Sequence, residues 1–224
     1  MHKIDLETLK RDGLVWQGGG QQPLAAGRTL PSGWPALDDL LGGGWPHRAL
    51  IEVISDAHRG VSLLIPLLAR LSDEQRWLAW VAPPYVPYAP ALAARGIEVA
   101  RLLLVHDISA KQALWATEQA LNSAACSIVL AWPAELQVAQ LRRLQLAAEQ
   151  GHCLGVLFRE ARSARQSSPA ALRLRVRPAP LGLEIELLKR RGGWNGGSCI
   201  ISIEEPDPAL ETAGIGAPTQ VART

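Results

Sequence analysis

The sequence predicts an α/β domain: a mostly parallel central sheet flanked by helices, with antiparallel strands at its C-terminal end. Three observations lead there. Between residues 49 and 158, short apolar runs alternate with amphipathic runs of helical length. The apolar runs are rich in Val, Ile, Leu and Trp and lack strict in-and-out alternation, so they read as strands covered on both faces. After residue 171 the pattern changes to alternating segments around a Gly-rich turn, which reads as hairpins. A hydrophobic fraction of 48% in 224 residues supplies one packed core and excludes wholesale disorder.

The elements follow in order. Residues 3–12 read as a short helix with Ile4, Leu6 and Leu9 on its apolar face, followed by a linker at 17–23 that contains three consecutive glycines. Residues 1–28 are thus a helix and Gly-rich linker, and compact structure starts near Thr29. Pro35–Leu41 is a brief helix with Pro in its first turn and Gly42 after its last. Ala49–Ile54 is a strand. Val61–Leu71 is a helix in which Pro66 predicts a kink or a late start. Trp77–Ala82 is a strand, and Tyr88–Arg95 a helix ended by Gly96. Arg101–His106 is a strand, and Ala110–Asn122 a helix capped by Ser109. Cys126–Trp132 is a strand, Glu135–Gln150 a helix and Cys153–Phe158 a strand. Residues 161–170, rich in Ser and Arg, read as a mobile loop. Leu172–Val176, Leu183–Leu188 and Ser198–Ile203 complete the antiparallel edge, so the domain spans 29–204. Residues 205–224, dominated by Pro, Ala, Gly and Thr, read as a disordered tail.

Charge and cysteines bound the function. With 23 basic and 21 acidic side chains the net charge is +2. That excludes a generally basic nucleic-acid coat protein but not a local basic patch. Cys126, Cys153 and Cys199 are odd in number and widely spaced, so they read as reduced core thiols without disulfide or zinc. No signal peptide and no membrane-length apolar run is visible, which predicts a cytoplasmic protein.

The turn at 55–62 sits where a nucleotide-binding sheet carries its phosphate loop. It reads Ser55-Asp56-Ala57-His58-Arg59-Gly60-Val61-Ser62. Gly60 and Ser62 remain, but Val61 stands where a lysine would meet the phosphates, and Asp56 puts a negative charge in the anion cradle. The strand at 126–132 ends in Ala131-Trp132 where a magnesium carboxylate would stand. Ala82-Pro83-Pro84-Tyr85 offers no general base. Three requirements of hydrolysis fail together, so the residues predict no ATPase and no cofactor.

The residues that surround this loop resemble a known family. Leu30-Pro31-Ser32-Gly33-Trp34-Pro35-Ala36-Leu37-Asp38, the bend Gly42-Gly43-Gly44 and Ile51-Glu52-Val53 resemble the opening of the RecA recombinase core. The resemblance covers roughly residues 29–203 and is degenerate at the ATP site. Gly42-Gly43-Gly44-Trp45-Pro46, the run Ala82–Pro90 with its four prolines and two tyrosines, and Arg101–Val105 are most similar to ImuA. That family is the RecA-like accessory protein of bacterial damage-induced mutagenesis cassettes. The resemblance implies a non-catalytic, nucleoid-associated adaptor in SOS translesion synthesis, with an ImuB-like polymerase relative and an error-prone polymerase as partners and RecA or DNA as further contacts. The stretch Gln75–Pro83 and the helices after it also resemble SulA, the SOS inhibitor that binds the division protein FtsZ. That alternative implies a division inhibitor.

Residues 159–191 carry nine basic and three acidic side chains. Arg173, Arg175 and Arg177 alternate along one strand and share a face. Together with Arg162, Arg165, Lys189, Arg190 and Arg191 they read either as a surface for DNA phosphates or an acidic partner, or as a solvated sheet edge. Arg173→Glu with Arg175→Glu is expected to weaken DNA or partner binding and to leave the fold intact. Trp194, in the Gly-rich turn, reads as a stacking residue or a hairpin lid. Trp77, Trp80, Trp115 and Trp132 read as core, and Trp34 and Trp45 as better candidates for exposed contacts. Tyr85 and Tyr88 form a binding edge or stiffen the turn. Asp56 with His58, and His106 with Asp107, lack a third ligand or a nucleophile.

Overall fold

The computed structural model describes residues 29–56, 60–180, 182–193 and 196–202. Two short strands, β1 (Thr29–Leu30) and β2 (Trp45–Pro46), pair antiparallel and bracket α1 (Pro35–Leu41). Ser32 donates its backbone N–H to Asp38 Oδ1 at 2.8 Å, which ties the entry of α1 to its middle. β3 (Leu50–Ser55) follows, with all six residues buried. The turn after it becomes a 3-10 segment, Val61–Leu64, and only then α2 (Ile65–Ser72). Pro66 therefore delays the helix and falls in its first turn, where no intrahelical N–H is required.

β4 (Trp77–Val81), α3 (Ala89–Ala93), β5 (Leu102–Val105), α4 (Ala110–Asn122), β6 (Cys126–Ala131), α5 (Val138–Gln150) and β7 (Leu154–Arg159) continue the alternation. α3 and α5 are shorter than their sequence patterns predict. α4 begins where predicted, in a capping box: Ser109 Oγ accepts from the Gln112 N–H and Gln112 Oε1 from the Ser109 N–H. β8 (Leu172–Ala179), β9 (Gly182–Arg190) and β10 (Ser198–Ser202) complete one eight-stranded sheet.

The strand order is β10-β9-β8-β3-β7-β6-β4-β5. Strands β8, β3, β7, β6, β4 and β5 run parallel, and β9 and β10 add antiparallel pairs at one side. This is the predicted α/β architecture. One face packs α1 and α2 over Ile51, Val53, Trp80, Leu130, Phe158 and Leu174. The other packs α4 and α5 over Ala79, Val129 and Leu157.

Several local expectations change. Residues 161–170 are an ordered strap and not a loose loop: Ala161–Arg165 is a 3-10 turn, and Lys189 and Arg191 donate to the carbonyls of Ser168 and Pro169. Trp45 is fully buried, and Trp34 donates its indole N–H to the Leu63 carbonyl at 3.1 Å, so neither is a free contact. Trp77 and Trp115, expected in the core, are 41% and 63% exposed. The predicted helix at 3–12, the linker at 17–23 and the tail at 205–224 lie outside the described residues, as do Ala57, His58, Arg59 and Trp194.

Candidate functional site: an aromatic cleft at the phosphate-loop end

Strands β3, β4, β6 and β7 all point their C-terminal ends at one rim of the sheet, where open α/β sheets place their sites. The rim here is built for contact with apolar groups. β4 ends at Val81, Ala82 takes a left-handed backbone (φ 51), and Pro83–Tyr88 then crosses the rim to α3. Three prolines in the crossing, Pro83, Pro84 and Pro87, fix φ and remove N–H donors, so the crossing holds one extended shape. Tyr85, Val86 and Tyr88 are left 82%, 68% and 62% exposed. Three large side chains this open, clustered within four positions, mark a contact surface.

The crossing forms one wall of a cleft of 390 Å³. Val61, Ser62 and Ile65 line it from the degenerate phosphate loop and α2, and Trp80 and Trp132 form its floor. Arg95 stands at its edge as the sole cation among the described lining residues. Trp80 packs tilted against Trp132 at 5.7 Å, and Trp132 stacks on Phe158 at 4.6 Å, making a rigid ladder. Trp132 follows directly on the last residue of β6. The indole N–H groups of Trp80 and Trp132 are buried and meet no acceptor among the described residues. Such orphan donors cost about 1–3 kcal/mol each until an acceptor arrives.

Gly60 explains why the loop keeps one glycine. Its φ is +114, and a Cβ there would lie 2.9 Å from Val53 Cγ1. The position is set by packing against β3, independently of any phosphate. Val61 is half-buried and lines the cleft, so the cleft presents an apolar wall where a triphosphate would need cations.

The predicted basic surface does not exist as one patch. Arg173 is buried beneath the 161–170 strap: its Nε donates to Glu52 Oε2 at 2.5 Å and its other nitrogens to the carbonyls of Gln166 and Ser163. Arg175 pairs with Glu186 at 2.9 Å, and Arg177 with Glu186 and Glu184 at 3.2 and 3.6 Å. Arg162 pairs with Glu135 and Glu160. Arg165 lines a hollow of 220 Å³ with Arg175, Arg177 and Asp56 at the phosphate-loop end. Lys189, Arg190 and Arg191 lie at the far end of β9, because Leu172 at the start of β8 pairs with Arg190. A strand reading places alternating arginines on one face but does not show which acids the neighbouring strands bring opposite.

His106 Nδ1 meets Asp107 Oδ2 at 2.6 Å on the surface, and no cluster of three metal-ligating side chains occurs among the described residues. Cys126 and Cys153 are buried and Cys199 half-buried, and burial pushes all three thiols above their ordinary pKa. They are held as neutral thiols, the opposite of what a nucleophile needs. No described helix is long and apolar enough to cross a membrane.

Residues 52–155 match the family described as cell division inhibitor SulA. Cell division inhibitor SulA of Yersinia pestis (strain Pestoides F) is 31% identical over 114 residues, covering 51% of this chain and 68% of that protein. The chain belongs to the SulA family. Cell division inhibitor SulA of Edwardsiella piscicida is 35% identical over 111 residues, 49% of this chain and 66% of the relative. The crystal structure of SulA from Pseudomonas aeruginosa matches 49% of this chain and 97% of its own, at 28% identity and a TM-score of 0.41. The chain thus spans about two thirds of the length of the SulA relatives it matches. The relatives it matches are described as cell division inhibitors. The SulA match runs from β3 to the start of β7, and it includes the whole Pro83–Tyr88 crossing.

Proposed function

We infer that this chain is a SulA-type protein that acts in the SOS response by binding a partner, with no nucleotide turnover, and that the partner is FtsZ. The observation that carries this reading is the aromatic cleft standing in place of a phosphate site, inside the stretch that matches cell division inhibitors. Tyr85, Val86 and Tyr88 form the outer contact and Trp80 and Trp132 the floor. Aromatic anchors of this kind dominate binding energy at protein interfaces. Purified chain should retain FtsZ on a column and slow its polymerisation. Tyr85→Ala with Tyr88→Ala should weaken capture by about tenfold or more, since two exposed anchors are removed while the core is untouched. Unchanged capture by the double variant moves the contact elsewhere, and no capture at all removes FtsZ.

A second reading is an ImuA-type adaptor for an ImuB-like polymerase relative and an error-prone polymerase. One observation favours it: β1, α1, β2 and β8–β10 lie outside the SulA match yet are built into the same fold. Capture of the ImuB-like protein without FtsZ would put this reading first.

A further inference from the structure

The polar atoms of the aromatic cleft narrow what it accepts. Its walls are apolar, and no carboxylate or side-chain amide is among its described lining residues. Four of its side chains are donors that meet no acceptor among the described residues. The indole N–H groups of Trp80 and Trp132 are orphaned in side chains only 5% and 9% exposed. The half-buried Ser62 hydroxyl and the exposed Arg95 guanidinium have no partner among the described residues either. Elsewhere arginines are engaged: Arg76 donates to three carbonyls, and Arg143, Arg162 and Arg177 each pair with a glutamate. The fold sets Arg95 beside the aromatic wall. Its backbone N–H donates to the Leu92 carbonyl at 3.0 Å, in the turn that ends α3. Between Tyr88 and Arg95 the exposed positions are Pro90, Ala91, Ala93 and Ala94. No long side chain separates the tyrosines from the cation, so one segment laid along α3 reaches both.

One cation does not neutralise a run of phosphates, so a nucleotide or nucleic acid fits poorly. A basic segment would meet Arg95 with no lining carboxylate to offset it. A purely apolar segment would cover the cleft and leave its donors unanswered. A segment that sets a large apolar side chain next to a carboxylate answers each feature. The side chain fills the space between the tyrosines and the floor, where aromatic walls give the most contact. The carboxylate meets the guanidinium fork. On the reading that this cleft is the partner surface, we propose that it recognises an acidic apolar segment of the partner protein: a Phe- or Leu-sized side chain seated between Tyr85, Tyr88 and Trp80, with an adjacent Asp or Glu paired to Arg95. The aromatic groups then supply adhesion, and Arg95 supplies the choice of partner.

The full chain is titrated into a fluorescein-labelled Gly/Ser peptide that carries Phe and Leu flanked by Glu, and anisotropy is followed. The same peptide with Lys in place of Glu, and with Ala in place of Phe and Leu, supplies the controls. The Glu peptide should bind about tenfold more tightly than either control. Arg95→Glu should weaken it by about tenfold and Arg95→Gln by about threefold, and Arg95→Gln should flatten the salt dependence. Arg95 is exposed and unpartnered among the described residues, so the melting temperature should hold in both variants. Purified FtsZ is the second probe. FtsZ capture that falls in Arg95→Glu and is kept in Arg95→Lys supports the proposal. Peptide discrimination that depends on Arg95, with no FtsZ retained by the unaltered chain, supports the chemistry of the cleft and removes FtsZ alone. FtsZ capture unchanged in Arg95→Glu, together with equal binding of the Glu and Lys peptides, overturns the chemistry and leaves FtsZ in place. Equal binding of the Ala peptide overturns the apolar anchor. A chain that binds neither probe and self-associates unless Arg95 is replaced by Glu assigns the cleft to a second copy, which also overturns the proposal.

Discussion

Glu52 is the residue on which the middle of the sheet depends. Its carboxylate is fully buried and accepts from Arg159 Nη1 at 2.7 Å and Arg173 Nε at 2.5 Å, with those side chains only 2% and 7% exposed. Arg159 also donates to Gln166 Oε1 and Arg173 to two strap carbonyls, so nearly every fork of the triad is used. Removing one member of a buried ionic set leaves the others uncompensated, at a cost of about 3–5 kcal/mol. Glu52→Gln should therefore lower the urea midpoint by about 2 M for a domain of this size. A change below about 0.5 kcal/mol would show that the arginines reach water instead. Arg173→Glu sets a second carboxylate against Glu52 and should abolish folding, contrary to the sequence expectation that the substitution leaves the fold intact. That expectation fails for a physical reason. Arg173 and Glu52 are 121 positions apart, and only the parallel pairing of β3 with β8 sets them opposite each other.

At the scale of elements, the signals that proved legible are local ones. Ser109 and Gln112 form a capping box within four residues, and the end of α4 is readable from the same stretch. Pro66 states a late helix start by its own chemistry. Exposure is not local. Trp115 on α4 is exposed and Trp45 is buried in one core cluster with residues of α1 and β3, and composition alone reverses the two. The packing of α4 against α5 shows the same contrast. Gly151, after α5, would place a Cβ 1.9 Å from the Leu121 carbonyl near the end of α4. Backbone there cannot yield as a flexible side chain can. Gly151→Ala should destabilise by about 3 kcal/mol through overpacking, and Ser109→Ala by about 1 kcal/mol through removal of one cap. Thermal melts of the two variants check the ranking. A Gly151→Ala protein as stable as Ser109→Ala would mean that the two helices can separate without strain.

At the scale of the molecule, the question is whether the strands beyond the SulA match are an appendage or part of the fold. The match ends at residue 155, before β8, β9 and β10. Yet β8 pairs with β3 over five residues, from Ile51↔Leu172 to Ser55↔Val176, and so covers the flank of a strand with no exposed residue. Leu172, Leu174, Val176, Ile185, Leu187 and Ile201 also belong to the larger core cluster. Without them β3 becomes a long, flat, apolar edge, a template for pairing with other chains. Glu52 is also deprived of Arg173, so an edge defect and a charge defect arise together. A chain cut after residue 160 should therefore collect in the insoluble fraction, while the full chain stays soluble and melts in one transition. A soluble fragment with its own cooperative melt would show instead that the matched core stands alone and that the antiparallel strands are an added module. The aromatic cleft, carried by β4, α3 and β6, gives that experiment a second readout. A folded fragment would keep the Tyr85 and Tyr88 surface, because the elements that carry it all precede the cut.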